Sequence, residues 1–167
     1  VERLMARVFT GLISNGTDTA HYARAELSRD SLVIPNGVDV SRFSRPSEFV
    51  VSDPRSVPPI GGKPNIVNVG TLIDIKGIPY AVRALSILRH RNGIECALTL
   101  VGKGDPTPYK KLAEDLGVSD SVCFAGMQHD VRPYLWRADV ALGISGGGGV
   151  GHAALEMLAA GCTVVAW

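Results

Sequence analysis

Asn65-Ile66-Val67-Asn68-Val69-Gly70-Thr71-Leu72-Ile73-Asp74-Ile75-Lys76-Gly77-Ile78-Pro79-Tyr80-Ala81-Val82-Arg83-Ala84-Leu85-Ser86-Ile87-Leu88-Arg89 is the stretch that decides how this chain is read. Asn65 to Val69 is a short apolar run between Pro64 and Gly70, suited to a buried strand. From Ile78 to Arg89, Ala81, Val82, Leu85 and Leu88 fall on one helical face. A buried strand that feeds an amphipathic helix is the repeating unit of a parallel sheet with crossover helices.

The alternation continues downstream. Ala97 to Val101 reads as a strand, Pro108 to Leu116 as a helix, Ser121 to Phe124 as a strand and Val131 to Arg137 as a short helix. Val140 to Ile144, Val150 to Ala160 and Thr163 to Ala166 add strand, helix and strand. Upstream, Phe9 to Ser14 and Ser31 to Pro35 are short apolar runs, with a turn and N-cap for a brief helix at Asn15-Gly16-Thr17-Asp18. Ser41 to Lys63, with Pro46, Pro54, Pro58 and Pro59 and no period of 2 or 3.6, reads as a linker or surface loop. The expected class is α/β, a Rossmann-like parallel sheet with crossover helices.

Composition narrows the function classes. Of 167 residues, 46% are hydrophobic and 20% charged, the balance of a chain that buries a core. Seventeen Lys and Arg against sixteen Asp and Glu leave a formal charge of +1, too little to bind nucleic acid or an anionic membrane by bulk field. Phosphate recognition is therefore expected to be local. The longest apolar candidate, Ala153 to Trp167, is broken by Glu156 and is shorter than the roughly 18 residues of a membrane span. No secretory signal is recognised, and since the first residue is not Met, the sequence is expected to be a piece of a longer protein. Cys96, Cys123 and Cys162 lack metal-ligand spacing and read as reduced thiols in or beside apolar strands.

In an open α/β sheet ligands bind beyond the carboxyl ends of strands, so the loops there carry the chemistry. Gly70 to Gly77 puts Lys76 just before a helix N-terminus, where an ammonium and free N–H groups suit a phosphate; a solvated lysine at a helix start is the other reading. Gly102-Lys103-Gly104-Asp105-Pro106 lets the backbone approach a flat or charged ligand, or makes a tight strand-to-helix turn. Ser145 to Gly151 holds Gly146 to Gly149 before a helix, where successive N–H groups can form an anion nest. The run satisfies G-x-G-x-x-G as Gly146, Gly148 and Gly151, but any glycine run does so easily, and it is not read as a dinucleotide fingerprint. Glu156, in the first turns of the same helix, can accept hydrogen bonds from ligand hydroxyls or from backbone N–H groups. His21, His90, His129 and His152 show no metal spacing, and serine-hydrolase, P-loop and zinc-protease patterns are absent from the sequence.

Val33-Ile34-Pro35-Asn36-Gly37-Val38-Asp39, followed by Phe43, resembles the interdomain segment of retaining GT-B nucleotide-sugar glycosyltransferases of the group 1 type. The resemblance continues through Val69-Gly70, Lys76-Gly77, Val101-Gly102-Lys103-Gly104, Phe124-Ala125-Gly126, Ala138-Asp139-Val140, Glu156-Met157 and Ala159-Ala160-Gly161. It implies residues 1–40 as the tail of an acceptor domain with the interdomain segment, 41–64 as linker and 65–167 as part of a donor-binding domain. It implies sugar transfer with retention from a UDP- or GDP-sugar, without an obligatory metal or other cofactor, to a glycan, lipid-linked or small-molecule acceptor met through another domain. Access to nucleotide sugars implies the cytoplasm, with any membrane contact peripheral.

Residue by residue, the resemblance makes Lys76 the catalytic cation for the departing diphosphate and Glu156 the ribose holder, the second glutamate of an E-x7-E motif. Met127-Gln128 corresponds to the segment against the base. Gly70, Thr71, Gly102, Gly104, Gly149, Val150 and Gly151 complete the expected donor site. Thr71 stands where the family usually has an arginine, and Gly148 where it has the first glutamate. Those two departures carry the alternative: a degenerate, non-catalytic module that keeps nucleotide binding or only the fold. Lacking most of an acceptor domain, the chain alone is expected not to transfer sugar.

Overall fold

The computed structural model describes residues 8–49, 62–144 and 151–166. Among these residues the strands are β1 Ile13–Ser14, β2 Leu32–Val33, β3 Asn65–Val69, β4 Ala97–Val101, β5 Val122–Gly126, β6 Val140–Gly143 and β7 Thr163–Ala166. The helices described with them are α1 Thr17–Leu27, α2 Val40–Phe43, α3 Ile78–Asn92, α4 Thr107–Asp115, α5 Arg132–Leu135 and α6 His152–Ala159. No helix among these residues is long and apolar enough to cross a membrane.

Strands β3 to β7 form one sheet in the order β5-β4-β3-β6-β7, every neighbouring pair parallel. Alternation along the strands supplies two cores. Leu98 and Leu100 face α3 and α4 with Ile78, Val82, Leu85, Tyr109 and Ala113. Val67, Val101 and Ala141 face the opposite way and pack with Phe43, Tyr134, Leu135 and Met157. Layers of helix on both faces of a parallel sheet make this a doubly wound α/β domain, as the sequence pattern predicts.

Buried polar groups lock the register at the centre. Asn65 N–H donates to the Asp139 carboxylate at 2.7 Å, the Asn65 amide oxygen accepts from the Thr99 hydroxyl at 3.0 Å, and Asn68 donates from Nδ2 to the Leu142 carbonyl at 3.2 Å. These bonds join β3 to β4 and β6 while satisfying atoms whose burial would otherwise cost stability.

The structure refines the sequence reading at several ends. Helix α3 runs three residues past Arg89 and stops where Gly93, at φ 64°, supplies the left-handed cap. Helix α1 is eleven residues long instead of brief, and its N-cap Gly16 has no side-chain cap bond. Only Ile13–Ser14 and Leu32–Val33 of the first two apolar runs are strand, paired in parallel in a separate two-stranded sheet. The stretch expected to be irregular from Ser41 begins with the helical turn α2. The Asp39 carboxylate caps that turn by accepting from Arg42 N–H at 3.1 Å, and Phe43 is buried. Its anchor is remote: Trp136 Nε1 donates to the Phe43 carbonyl at 2.6 Å. The helix expected from Val150 begins at His152; Val150, with the glycine run 146–149, lies outside the described residues.

Candidate functional site

Strand order reverses direction between β3 and β6, so the crevice at their carboxyl ends is the place where such a sheet binds ligands. The loop after β3 forms one wall. It runs from Gly70 into a 3-10 turn, Asp74–Lys76, and through Gly77 into α3. Lys76 is half-buried there.

Two glycines set this wall. Gly77 adopts φ 74°, open to a residue without a side chain, and a Cβ on it would overlap the Ile144 side chain. Ile144, the residue that follows β6, therefore rests directly on Gly77 beside Lys76. Gly102, at φ 155°, lies so close to the Gly70 carbonyl that a Cβ would overlap the oxygen. Neighbouring loops are also stitched by backbone hydrogen bonds: Gly70 N–H to Val101 O at 2.9 Å, Leu72 N–H to Lys103 O at 2.8 Å and Gly102 N–H to Gly126 O at 2.8 Å. The space saved at Gly102 and Gly104 is filled by the preceding loop, with Leu72 against Gly104, which is the tight-turn reading of that sequence.

The predicted residues fall into three groups. Gly70, Thr71, Lys76, Gly102 and Gly104 share the interlocked loops after β3 and β4. Met127 and Gln128 follow β5; Met127 is 69% exposed, while the Gln128 amide donates to the Ala125 carbonyl at 2.7 Å. Gly151 caps α6 in extended geometry, its carbonyl accepting from Ala154 N–H, and Glu156 is half-buried one turn further on. Among the described residues no hydrogen bond or ion pair to the Glu156 carboxylate is found, and its oxygens are acceptors by chemistry. Gly149 and Val150 lie outside the described residues.

One contact at this edge carries no signal in the local sequence. Tyr109, 6% exposed on α4, donates its hydroxyl to the Asp74 carboxylate at 2.8 Å, across 35 positions of chain. Burial first, and then the hydrogen bond to Asp74, push its pKa up to about 12, so it remains a donor at neutral pH. Asp105 caps the start of α4 by accepting from Thr107 N–H at 2.9 Å; its hydrogen bonds with Thr107 hold the carboxyl below its usual pKa.

Of the remaining sequence candidates, His129 and His152 adjoin Gln128 and Gly151 at the carboxyl edge of the sheet, and the others do not. Cys96 and Cys162 are buried, Cys123 is half-buried, all three are free thiols, and burial raises each pKa. His21, His90, His129 and His152 are exposed, with the His90 ring bonded to the Leu116 carbonyl at 3.1 Å. Among the described residues no three His, Cys, Asp or Glu side chains converge as a metal site.

A five-stranded parallel sheet in this order, helices on both faces and working loops at the switch point, is the Rossmann-like architecture found in GT-B glycosyltransferases. The profile of the family described as "Glycosyl transferases group 1" matches residues 63–167. The chain belongs to that family. It is 33% identical over 127 residues to the lipopolysaccharide core biosynthesis glycosyltransferase LpsE of Rhizobium meliloti (strain 1021), a match covering 75% of this chain and 36% of LpsE. It is 39% identical over 98 residues to a GDP-mannose-dependent alpha-(1-6)-phosphatidylinositol monomannoside mannosyltransferase of Mycobacterium tuberculosis, covering 56% of this chain and 24% of that enzyme. Among solved structures, Anabaena HepE in complex with UDP shares the fold, with TM-score 0.74 and 19% identity over 99% of this chain and 49% of HepE. The chain thus spans well under two thirds of the length of each of these proteins.

Proposed function

We propose that this chain is the donor-binding part of a retaining glycosyltransferase that moves a hexosyl group from a UDP- or GDP-sugar to an acceptor bound by another domain. The observation that carries the proposal is the seating of Ile144, just after β6, against Gly77 beside Lys76, at the switch point of the sheet. That contact joins a cation-bearing wall to the loop leading into α6, the helix of Glu156. Negative charge grows on the leaving diphosphate as the glycosidic bond breaks, so an ammonium and N–H dipoles already in place lower the barrier. Lys76 would meet the diphosphate, N–H groups of residues 149–151 would donate to it, Glu156 would accept from the ribose hydroxyls and Met127-Gln128 would lie against the base. No metal is required in this scheme.

The names of the relatives support sugar transfer as the activity, and they span both bases: LpsE is described as a glycosyltransferase of lipopolysaccharide core, the mycobacterial protein as GDP-mannose-dependent, and HepE holds UDP. By analogy the acceptor of the whole protein is a glycan, lipid-linked or small molecule, the reaction is cytoplasmic, and any contact with the membrane is peripheral. Thr71, in place of the arginine of the family pattern, favours a second reading in which nucleotide binding persists without transfer.

A thermal-shift titration with UDP, GDP and ADP tests the site. A nucleotide at ~100 times its Kd stabilises the native state by about 2.7 kcal/mol. For a chain of this size that raises Tm by about 5–11 °C. The shift is expected with one uridine or guanosine nucleotide and is lost in Glu156→Ala; no shift from a cooperatively folded sample sinks the donor-site assignment. In the full-length enzyme, Lys76→Ala turnover within twofold of the parent would remove Lys76 from the chemistry.

A further inference from the structure

We propose that Tyr109 and Asp74 are positioning residues: their hydrogen bond clamps the 3-10 turn that presents Lys76 to the crevice. The inference rests on the donor-site reading above and adds to it two residues that no motif supplies.

The turn Asp74–Lys76 is held internally by short-range backbone bonds, Lys76 N–H to Ile73 O at 3.0 Å and Gly77 N–H to Asp74 O at 2.9 Å. Such bonds define the shape of a turn without fixing it to the domain. Ile73 and Ile75 project 44% and 56% exposed, so packing of their side chains contributes little fixation. The ends are tied down, by buried Leu72 with its bond to Lys103 O and by Gly77 against Ile144. Between these ends the Tyr109 hydroxyl reaches Asp74 at 2.8 Å.

The two partners differ in a useful way. Tyr109 belongs to the core that α3 and α4 share with β4, so close packing fixes its ring. Asp74 is on the exposed turn. A rigid donor on the body therefore holds a charged acceptor on the loop, two residues from the lysine. The same bond draws the Asp74 carboxylate toward α4, and the high pKa of Tyr109 keeps the donor protonated throughout the neutral range.

The test is a double-mutant cycle read by calorimetric titration of UDP and of GDP into this chain. Tyr109→Phe keeps the ring and deletes the donor. Nucleotide affinity is expected to fall about three- to tenfold, the range of one side-chain hydrogen bond. In a Lys76→Ala background the same change is expected to add nothing, because its effect passes through the lysine. Asp74→Ala removes the bond from the exposed side, so it serves even where Tyr109→Phe disturbs the core; it should match Tyr109→Phe and not add to it. Asp74→Asn, which keeps a carbonyl oxygen for the hydroxyl, should stay within about twofold of the parent. Equal losses with and without Lys76, or a parent-like Tyr109→Phe alongside a weakened Lys76→Ala, overturn the clamp and leave the donor site standing. Failure of the parent to bind either nucleotide overturns both.

Discussion

Gly102→Ala offers a sharp test of how the crevice is built, because Gly70, its neighbour across the β3–β4 pair, supplies an internal control. At Gly102 the new methyl would overlap the Gly70 carbonyl oxygen, and the backbone sits at φ 155°, a region that L side chains rarely adopt. The conformational term alone costs about 1–3 kcal/mol. Relief of the overlap must move one of two loops tied by Gly70 N–H to Val101 O and Gly102 N–H to Gly126 O, and each bond lost adds about 0.5–1.5 kcal/mol. With one bond lost the sum, about 1.5–4.5 kcal/mol, lowers Tm by about 3–18 °C for a domain of this size. At Gly70 a Cβ meets nothing within 4 Å and φ is ordinary, so Gly70→Ala is expected to be neutral or to stabilise by up to about 1 kcal/mol through the unfolded chain. Calorimetric melting of both variants checks this. Melting temperatures within 2 °C of each other would refute the claim that loop-on-loop contact sets the Gly102 position.

Two further outcomes follow from the same packing. The Tyr109 phenol has an ordinary pKa of 10.0, raised to about 12 in the fold. A group whose folded pKa is raised stabilises fully below the unfolded value and loses that contribution as pH climbs through the folded one. Denaturant midpoints of the parent should therefore fall between pH 10 and 12 more steeply than those of Tyr109→Phe; parallel curves would show that the phenol is not the group responsible. Phe43→Ala, at a ring 9% exposed beneath Trp136, should cost about 3–5 kcal/mol in urea unfolding. A loss under 1 kcal/mol would mean that α2 is not docked on the sheet.

The parallel sheet was legible because apolar runs such as Asn65 to Val69 and Ala97 to Val101 alternate with a helix whose inner face, Ala81, Val82, Leu85, keeps its period without interruption. Helix α3 runs past Arg89 to the cap at Gly93, whose positive φ is a property of the folded turn. Gly102 stood out as a glycine, but its cause is a carbonyl on another loop, brought alongside only when Val69 pairs with Val101. Phe43 lies among prolines and serines that give no period, and its burial comes from a cluster with Val67, Leu135 and Met157, far along the chain. The Tyr109–Asp74 bond was invisible for the same reason: neither residue breaks a local pattern, and only the docking of α4 brings them together. Lys76 is nominated by position alone, a cation between a strand end and a helix start.

Return of β6 to the side of β3 has a consequence for how the domain assembles. The pairing of Asn65 with Ala97 and of Leu98 with Val122 closes 32 and 24 positions, and that of Val140 with Thr163 closes 23. Joining Ile66 to Val140 closes 74. Chain entropy charges that junction about 0.7 kcal/mol more than the β3–β4 one. Long-range closures of this kind come late in folding, after local pairings have formed. The β3-β4-β5 half and the β6-β7 half are therefore the natural early units, and the line along which they meet is the seam beneath the crevice. A nucleotide seated across it would bind both halves at once and act as a staple on the last part of the molecule to close.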